Sequence, residues 1–168
     1  MDFLKLKELI RSDYYRILNL PQKSMGGVKV SKLLYLIFFN PSFSTTFWFR
    51  LGTYLNTKSG LAKMLLFVVK YFSKRVSYRT GIQIPITVCA GYGLRFCHFS
   101  CIVITPGAVI GNNCTIHQGV TIGRSFAADG TGGDPIIGNN VVIFPGAKIL
   151  GNVTIGDDAV VCANAVVT

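Results

Sequence analysis

A chain of 168 residues, half of them hydrophobic, is long enough to bury one real core and points to one domain. Its formal net charge of +10 is lopsided: residues 1–80 carry fourteen Lys/Arg against Asp2, Glu8 and Asp13, a net +11, whereas residues 81–168 carry a net −1. The sequence therefore divides into a basic, aromatic-rich arm (1–80) and a nearly neutral body (81–168), which directs the arm toward an anionic surface; nothing in it resembles a nucleic-acid-reading module.

Along the arm, residues 2–20 predict an amphipathic helix with a stripe of Phe3, Leu6, Ile10, Tyr14, Ile17 and Leu18, ended by Pro21. A short apolar segment over 29–39 stops at Asn40-Pro41, and further helices are expected from about Ser44 to Leu55 and over Leu61–Tyr78. In the last of these, Lys63, Lys70 and Lys74 share one face and Leu61, Leu65, Val68, Val69 and Phe72 another. No stretch reaches the ~20 apolar residues of a bilayer span. The arm is thus expected to be a helical cap docked on the body, with shallow attachment to an anionic inner leaflet as the sharper alternative, because aromatic and basic residues interleave. Met1-Asp2-Phe3 leads directly into this helix, so no cleavable signal is expected.

The body is governed by a repeat. Aliphatic residues recur every six positions at Ile104, Ile110, Ile116 and Ile122, and again at Ile137, Ile143, Ile149, Ile155, Val161 and Val167, with a weaker earlier run at Ile84, Ala90 and Phe96. Four positions after each sits a small or branched residue, such as Ala108, Cys114, Val120 and Ala147. A period of six fits neither a helix nor a simple strand. It predicts a triangular coil in which the aliphatic points inward, the small residue fills the gap beside it and Gly or Asn turns the corner. Each aliphatic should stack on the one 18 residues away, as Ile104 on Ile122. The expected fold class is mainly β: a left-handed parallel β-helix preceded by an α-helical N-terminal arm. Val167-Thr168 falls within a repeat phase, so a further turn or a capping partner is expected.

The phase breaks twice. From Phe96 to Ile104 the step is eight, two residues too many, around Cys97-His98-Phe99-Ser100. From Ile122 to Ile137 the step is fifteen, and the nine extra residues fall in an exposed Gly-rich loop within 124–135. The chain has two histidines, His98 and His117, the residue type suited to general acid–base work. His98, inside the two-residue insertion, is the first candidate for a general base; His117, expected to face outward at a corner, is the second. The five cysteines form no CxxC pair and are not spaced with the histidines as zinc ligands, so no metal is expected. They read as reduced thiols, serving mainly as small apolar residues in a cytoplasmic protein.

The stretch 81–168, with Gly-Ile-Gln-Ile-Pro, Phe-Cys-His-Phe-Ser-Cys-Ile-Val-Ile, Thr-Ile-His-Gln-Gly-Val-Thr-Ile-Gly and Pro-Gly-Ala-Lys-Ile-Leu-Gly-Asn, resembles the serine acetyltransferase branch of the bacterial hexapeptide acyltransferases. The resemblance implies acetyl-CoA as co-substrate, held between the subunits of a homotrimer. It implies His98 as the catalytic base, Gly123, Pro145 and Ala163 along the coenzyme channel, and the 124–135 loop folded over the site. Three positions depart from the family's pattern: Cys97 and Gln83 stand where it has aspartates, and Asp134 where it has a second histidine. The family's helical N-terminal domain is also absent in recognisable form. A histidine without its carboxylate needs another group to orient it, for which Gln83, Asp134 or a main-chain carbonyl are candidates.

With two carboxylates and a histidine gone, the pattern is more similar to the members that act on capsule or exopolysaccharide precursors. The expectation is therefore an acetyl-CoA-dependent O-acetyltransferase whose acceptor is a sugar hydroxyl, in the cytoplasm or peripheral on the inner face of the membrane. Serine O-acetylation is the alternative, and a non-catalytic trimeric scaffold the second alternative. A hydratase on this fold, which needs three histidine ligands, is set aside because the chain has two.

Overall fold

A computed structural model describes residues 1–20, 27–125 and 132–168. Four helices precede the coil: α1 (Phe3–Ile17), α2 (Val30–Phe39), α3 (Pro41–Asn56) and α4 (Leu61–Thr80). Local chemistry sets their ends. The Asp2 carboxylate accepts from the Lys5 N–H at 2.7 Å and caps α1. Asn40 accepts from the Phe43 N–H at 2.9 Å, with Pro41 pre-set at the first position of α3. Gly81, in the left-handed conformation, closes α4. The three expected helices are found and the 29–39 segment is a helix as well, but α1 ends at Ile17, short of Pro21, Phe3 points outward, and of the apolar face expected on α4 only Val69 is buried, with Leu66 and Val76 beside it.

The coil has three parallel faces. The first is β1 (Ile82–Gln83), β4 (Ile102–Ile104), β7 (Thr121–Gly123), β10 (Lys148–Leu150) and β13 (Val166–Val167). The second is β2 (Cys89–Ala90), β5 (Val109–Ile110), β8 (Ile136–Ile137) and β11 (Thr154–Ile155). The third is β3 (Arg95–Cys97), β6 (Thr115–His117), β9 (Val142–Ile143) and β12 (Val160–Val161). Successive strands lie on successive faces, as a six-residue unit per face requires, and the coil is the left-handed parallel β-helix that the repeat predicts. Ile104 stacks on Ile122, Ile116 on Ile143 and Ile149 on Val167. Ile102, Ile116, Ile122, Ile143 and Ile149 are fully buried; side chains of this size contribute about 1.5–3 kcal/mol each. The edge between the second and third faces is a polar ladder. The Asn112 side chain accepts from the Tyr92 N–H, that of Asn139 from the Asn112 N–H, and that of Asp157 from the Asn139 N–H.

"Mainly β" does not describe this chain. Strands of two or three residues are all that a six-residue unit leaves once a corner is turned, whereas the helices run to 15, 10, 16 and 20 residues. Those helices sit on the first coil. Arg50 of α3 pairs with Asp13 of α1 at 2.9 Å, both side chains buried, and donates to the Ala90 and Gly91 carbonyls. Asp13 accepts from the Leu94 N–H, and Thr53 donates to the Ile86 carbonyl. Burial pushes the Asp13 carboxyl above its ordinary value; Arg50 and backbone N–H groups pull it back only in part. Of the cysteines, Cys114 alone is a buried apolar filler, its thiol pushed up by desolvation; Cys89, Cys101 and Cys162 are exposed and Cys97 half-buried.

Candidate active site

His98 follows β3 at the edge where the chain turns from the third face to the first. His98 (φ 55°), Ser100 (φ 144°) and Cys101 (φ 50°) all take conformations that L-residues avoid, at a cost of roughly 1–3 kcal/mol each. The two inserted residues force this, because the turn must still deliver Ile102 in register with Ile82. The segment is braced from both sides. Gly119 donates to the Ser100 carbonyl at 2.9 Å, and Ile102 donates to that of Gly81 at 3.1 Å. A Cβ on Gly81 would lie 2.9 Å from the Cys101 nitrogen, so the glycine that ends α4 also makes room for the His98 turn. The outcome is an exposed imidazole on a strained, supported bend.

Other residues stack on this edge coil by coil. Gly146 donates to the Gln118 carbonyl at 3.0 Å and Asn164 to that of Pro145 at 2.9 Å, which places Pro145 and Ala163 in corners of the edge that His98 opens. Beside it on the third face, Cys97 pairs in register with His117, whose ring stacks on Phe144 at 5.2 Å and 5°. His117 Nδ1 lies 2.9 Å from the Ile143 carbonyl. A carbonyl only accepts, so Nδ1 carries the proton in this contact and Nε2 is left for other partners. His117 is therefore half-buried and pinned, rather than projecting from a corner as the sequence implied.

Gly123 and Asp134 belong to a different edge, between the first and second faces. Gly123 accepts from the Gly151 N–H at 2.9 Å. The Asp134 carboxylate accepts from Thr105 Oγ1 at 3.2 Å, lies 3.7 Å from the Arg124 guanidinium and occupies the space that a Cβ on Gly107 would need. Of the predicted 124–135 loop, residues 126–131 lie outside the described residues. Gln83 projects from the first face into a cleft of about 520 Å³ between β1 and helices α3 and α4, lined also by Trp48, Lys70, Ser73, Lys74 and Ser77. Among the described residues no hydrogen bond joins Gln83 or Asp134 to His98. The structure thus brings His98, Pro145 and Ala163 to one edge with Cys97 and His117 beside it, and separates Gly123 and Asp134 from them within one chain. Sequence reasoning missed the lysine-lined cleft beside Gln83, although the i, i+4 spacing of Lys70 and Lys74 pointed to it.

Residues 134–168 match the family described as bacterial transferase hexapeptide (six repeats). A serine acetyltransferase of Helicobacter pylori is 39% identical over 101 residues, 60% of this chain and 58% of that protein. The crystal structure of the Neisseria gonorrhoeae serine acetyltransferase superposes with a TM-score of 0.73 at 29% identity, covering 99% of this chain and 61% of that one. Isoform 3 from Entamoeba histolytica, solved in complex with cysteine, gives 0.72 at 27% identity, covering 99% and 55%. This chain accordingly spans 55–61% of the length of these three proteins.

Two expectations are corrected. The helical region is part of the structural match, since the superposition takes in almost the whole chain. The capsule or exopolysaccharide assignment is overturned, because these sequence relatives and structural neighbours are serine acetyltransferases. That assignment rested on departures at Cys97, Gln83 and Asp134. Within this chain Asp134 is tied to Thr105 and Arg124, and Gln83 lines a cleft beneath α4. Residues 134–168 of the coil thus match the bacterial transferase hexapeptide family, and the proteins and structures named here that this chain is similar to are serine acetyltransferases.

Proposed function

We propose that this chain carries an acetyl-CoA-dependent serine O-acetyltransferase, with His98 as general base. The observation that supports it most is the exposed His98 on a strained bend, at the head of an edge lined by Pro145 and Ala163. His98 accepts the proton of the serine hydroxyl as its oxygen attacks the thioester carbonyl. The tetrahedral intermediate then expels the CoA thiolate, which takes that proton back from the imidazolium, so the base is regenerated. Gly123, Pro145 and Ala163 line the path of the coenzyme. Because Gly123 and Asp134 lie on another edge of the same prism, they reach His98 only from a neighbouring copy, and the reading includes a homotrimer with its sites between subunits. His117, pinned through Nδ1 beside Cys97, is the reserve candidate for the base.

The test is CoA release by the purified chain from acetyl-CoA with L-serine, against sugars and other hydroxyl acceptors. Release that depends on L-serine supports the proposal; release with a sugar but not with serine, or none with any acceptor, overturns it.

A further inference from the structure

Helices α2 and α4 leave most of their apolar side chains outside the core. Leu61, Met64, Leu65, Phe67, Val68 and Tyr71 of α4 are half or more exposed, with Leu61 at 84% and Phe67 at 74%. The buried side of α4 is a narrow stripe of Leu66, Val69, Val76 and Thr80 facing α3 and the first coil. On α2, Val30, Leu34, Tyr35, Phe38 and Phe39 are exposed in the same way, against buried Leu36 and Ile37. So much apolar side chain beside water is unfavourable unless something covers it.

The charge around these residues identifies the cover. Exposed Lys63, Lys70, Lys74, Arg75 and Arg79 lie on α4, and Lys29 and Lys32 at the start of α2. No Asp or Glu occurs anywhere from residue 14 to residue 128. A second copy of this face would bring like charges together without a carboxylate to answer them. A surface that is apolar inside and anionic outside answers both features. None of these helices is long and apolar enough to cross a membrane, among the described residues. The aromatic and aliphatic side chains enter the headgroup boundary, and the lysines and arginines meet the lipid phosphates.

We infer that the outward side of α4, with α2, is a docking surface for an anionic lipid bilayer, independent of the acyl-transfer reading. The experiment is co-sedimentation of the full chain with phosphatidylcholine vesicles, with and without phosphatidylglycerol, together with sedimentation velocity in the absence of lipid. Binding is expected to the anionic vesicles only, to weaken at ~1 M salt, and to fall at least about tenfold in Phe67→Glu/Met64→Glu and in Lys63→Glu/Arg75→Glu. Circular dichroism and serine-dependent CoA release should stay unchanged in both variants, which separates lost docking from lost fold. Equal binding to neutral and anionic vesicles, or no binding, overturns the inference. So does an assembly whose sedimentation coefficient drops in Phe67→Glu/Met64→Glu while the parent ignores vesicles, because a second copy then covers the face.

Discussion

Asp13 and Arg50 show how much one buried pair carries. Arg50 donates to the Asp13 carboxylate and to the carbonyls of Ala90 and Gly91, and Asp13 also accepts from the Leu94 N–H, so two helices and the first coil close on one ionic contact. Removing one partner leaves the other charge buried without its answer. Asp13→Ala should therefore destabilise by about 3–5 kcal/mol in urea unfolding, and the double replacement Asp13→Leu/Arg50→Met by distinctly less. In the sequence Asp13 is one of three acids in the basic arm and Arg50 one of its fourteen Lys/Arg. Their pairing depends on how α1 crosses α3, which no local pattern states. The place of the bend that carries His98 was legible for the opposite reason: an insertion in a strict six-residue phase marks its own position. What the phase could not show was that Asp134 is taken up by Thr105 and Arg124 on another edge.

Between elements, the meeting of α4 with the His98 turn is where fold and chemistry touch. Gly81 combines φ 70° with a Cβ position 2.9 Å from the Cys101 nitrogen. Gly81→Ala must displace the 98–101 bend; kcat/KM for acetyl transfer should drop by at least about tenfold, with thermal unfolding still cooperative. Unchanged kinetics would mean that the bend does not depend on α4. The polar ladder makes a separate prediction. Hydrogen bonds from the Asn139 N–H and side-chain amide hold the Asp157 carboxyl below its ordinary value. A depressed folded-state value adds stability that is present above the unfolded value of about 3.8 and lost as pH falls through the folded one. Between about pH 5 and about pH 3, the parent should lose more stability in urea unfolding than Asp157→Asn; equal losses would contradict the linkage. The inward residues and corners of the coil were readable because each unit repeats the same steric demand. The helices were readable as segments from their caps and breakers, but their docking was not.

At the scale of the molecule, the division of charge seen in the sequence becomes a division of surfaces. The helices fasten to the first coil through α1 and α3 and turn the basic, apolar sides of α2 and α4 outward. The structural likeness of the helical region to the solved serine acetyltransferases was hidden in the sequence, where the match to the Helicobacter pylori relative takes in 60% of this chain, and visible in three dimensions, where the superposition on the Neisseria gonorrhoeae enzyme covers 99% of it. If the sites lie between subunits, a homotrimer should appear in sedimentation velocity at the concentrations where CoA is released. A monomer with full activity would contradict that assembly.

In the proposed reaction His98 takes the proton of the attacking serine hydroxyl. The most direct measurement is kcat/KM for L-serine, at saturating acetyl-CoA, in the parent chain and in His98→Ala, with acetyl-CoA binding followed by calorimetry on both. A loss of at least ~100-fold in rate is expected, with acetyl-CoA affinity retained. Parent-like turnover in His98→Ala, with the loss appearing instead in His117→Ala, would contradict it.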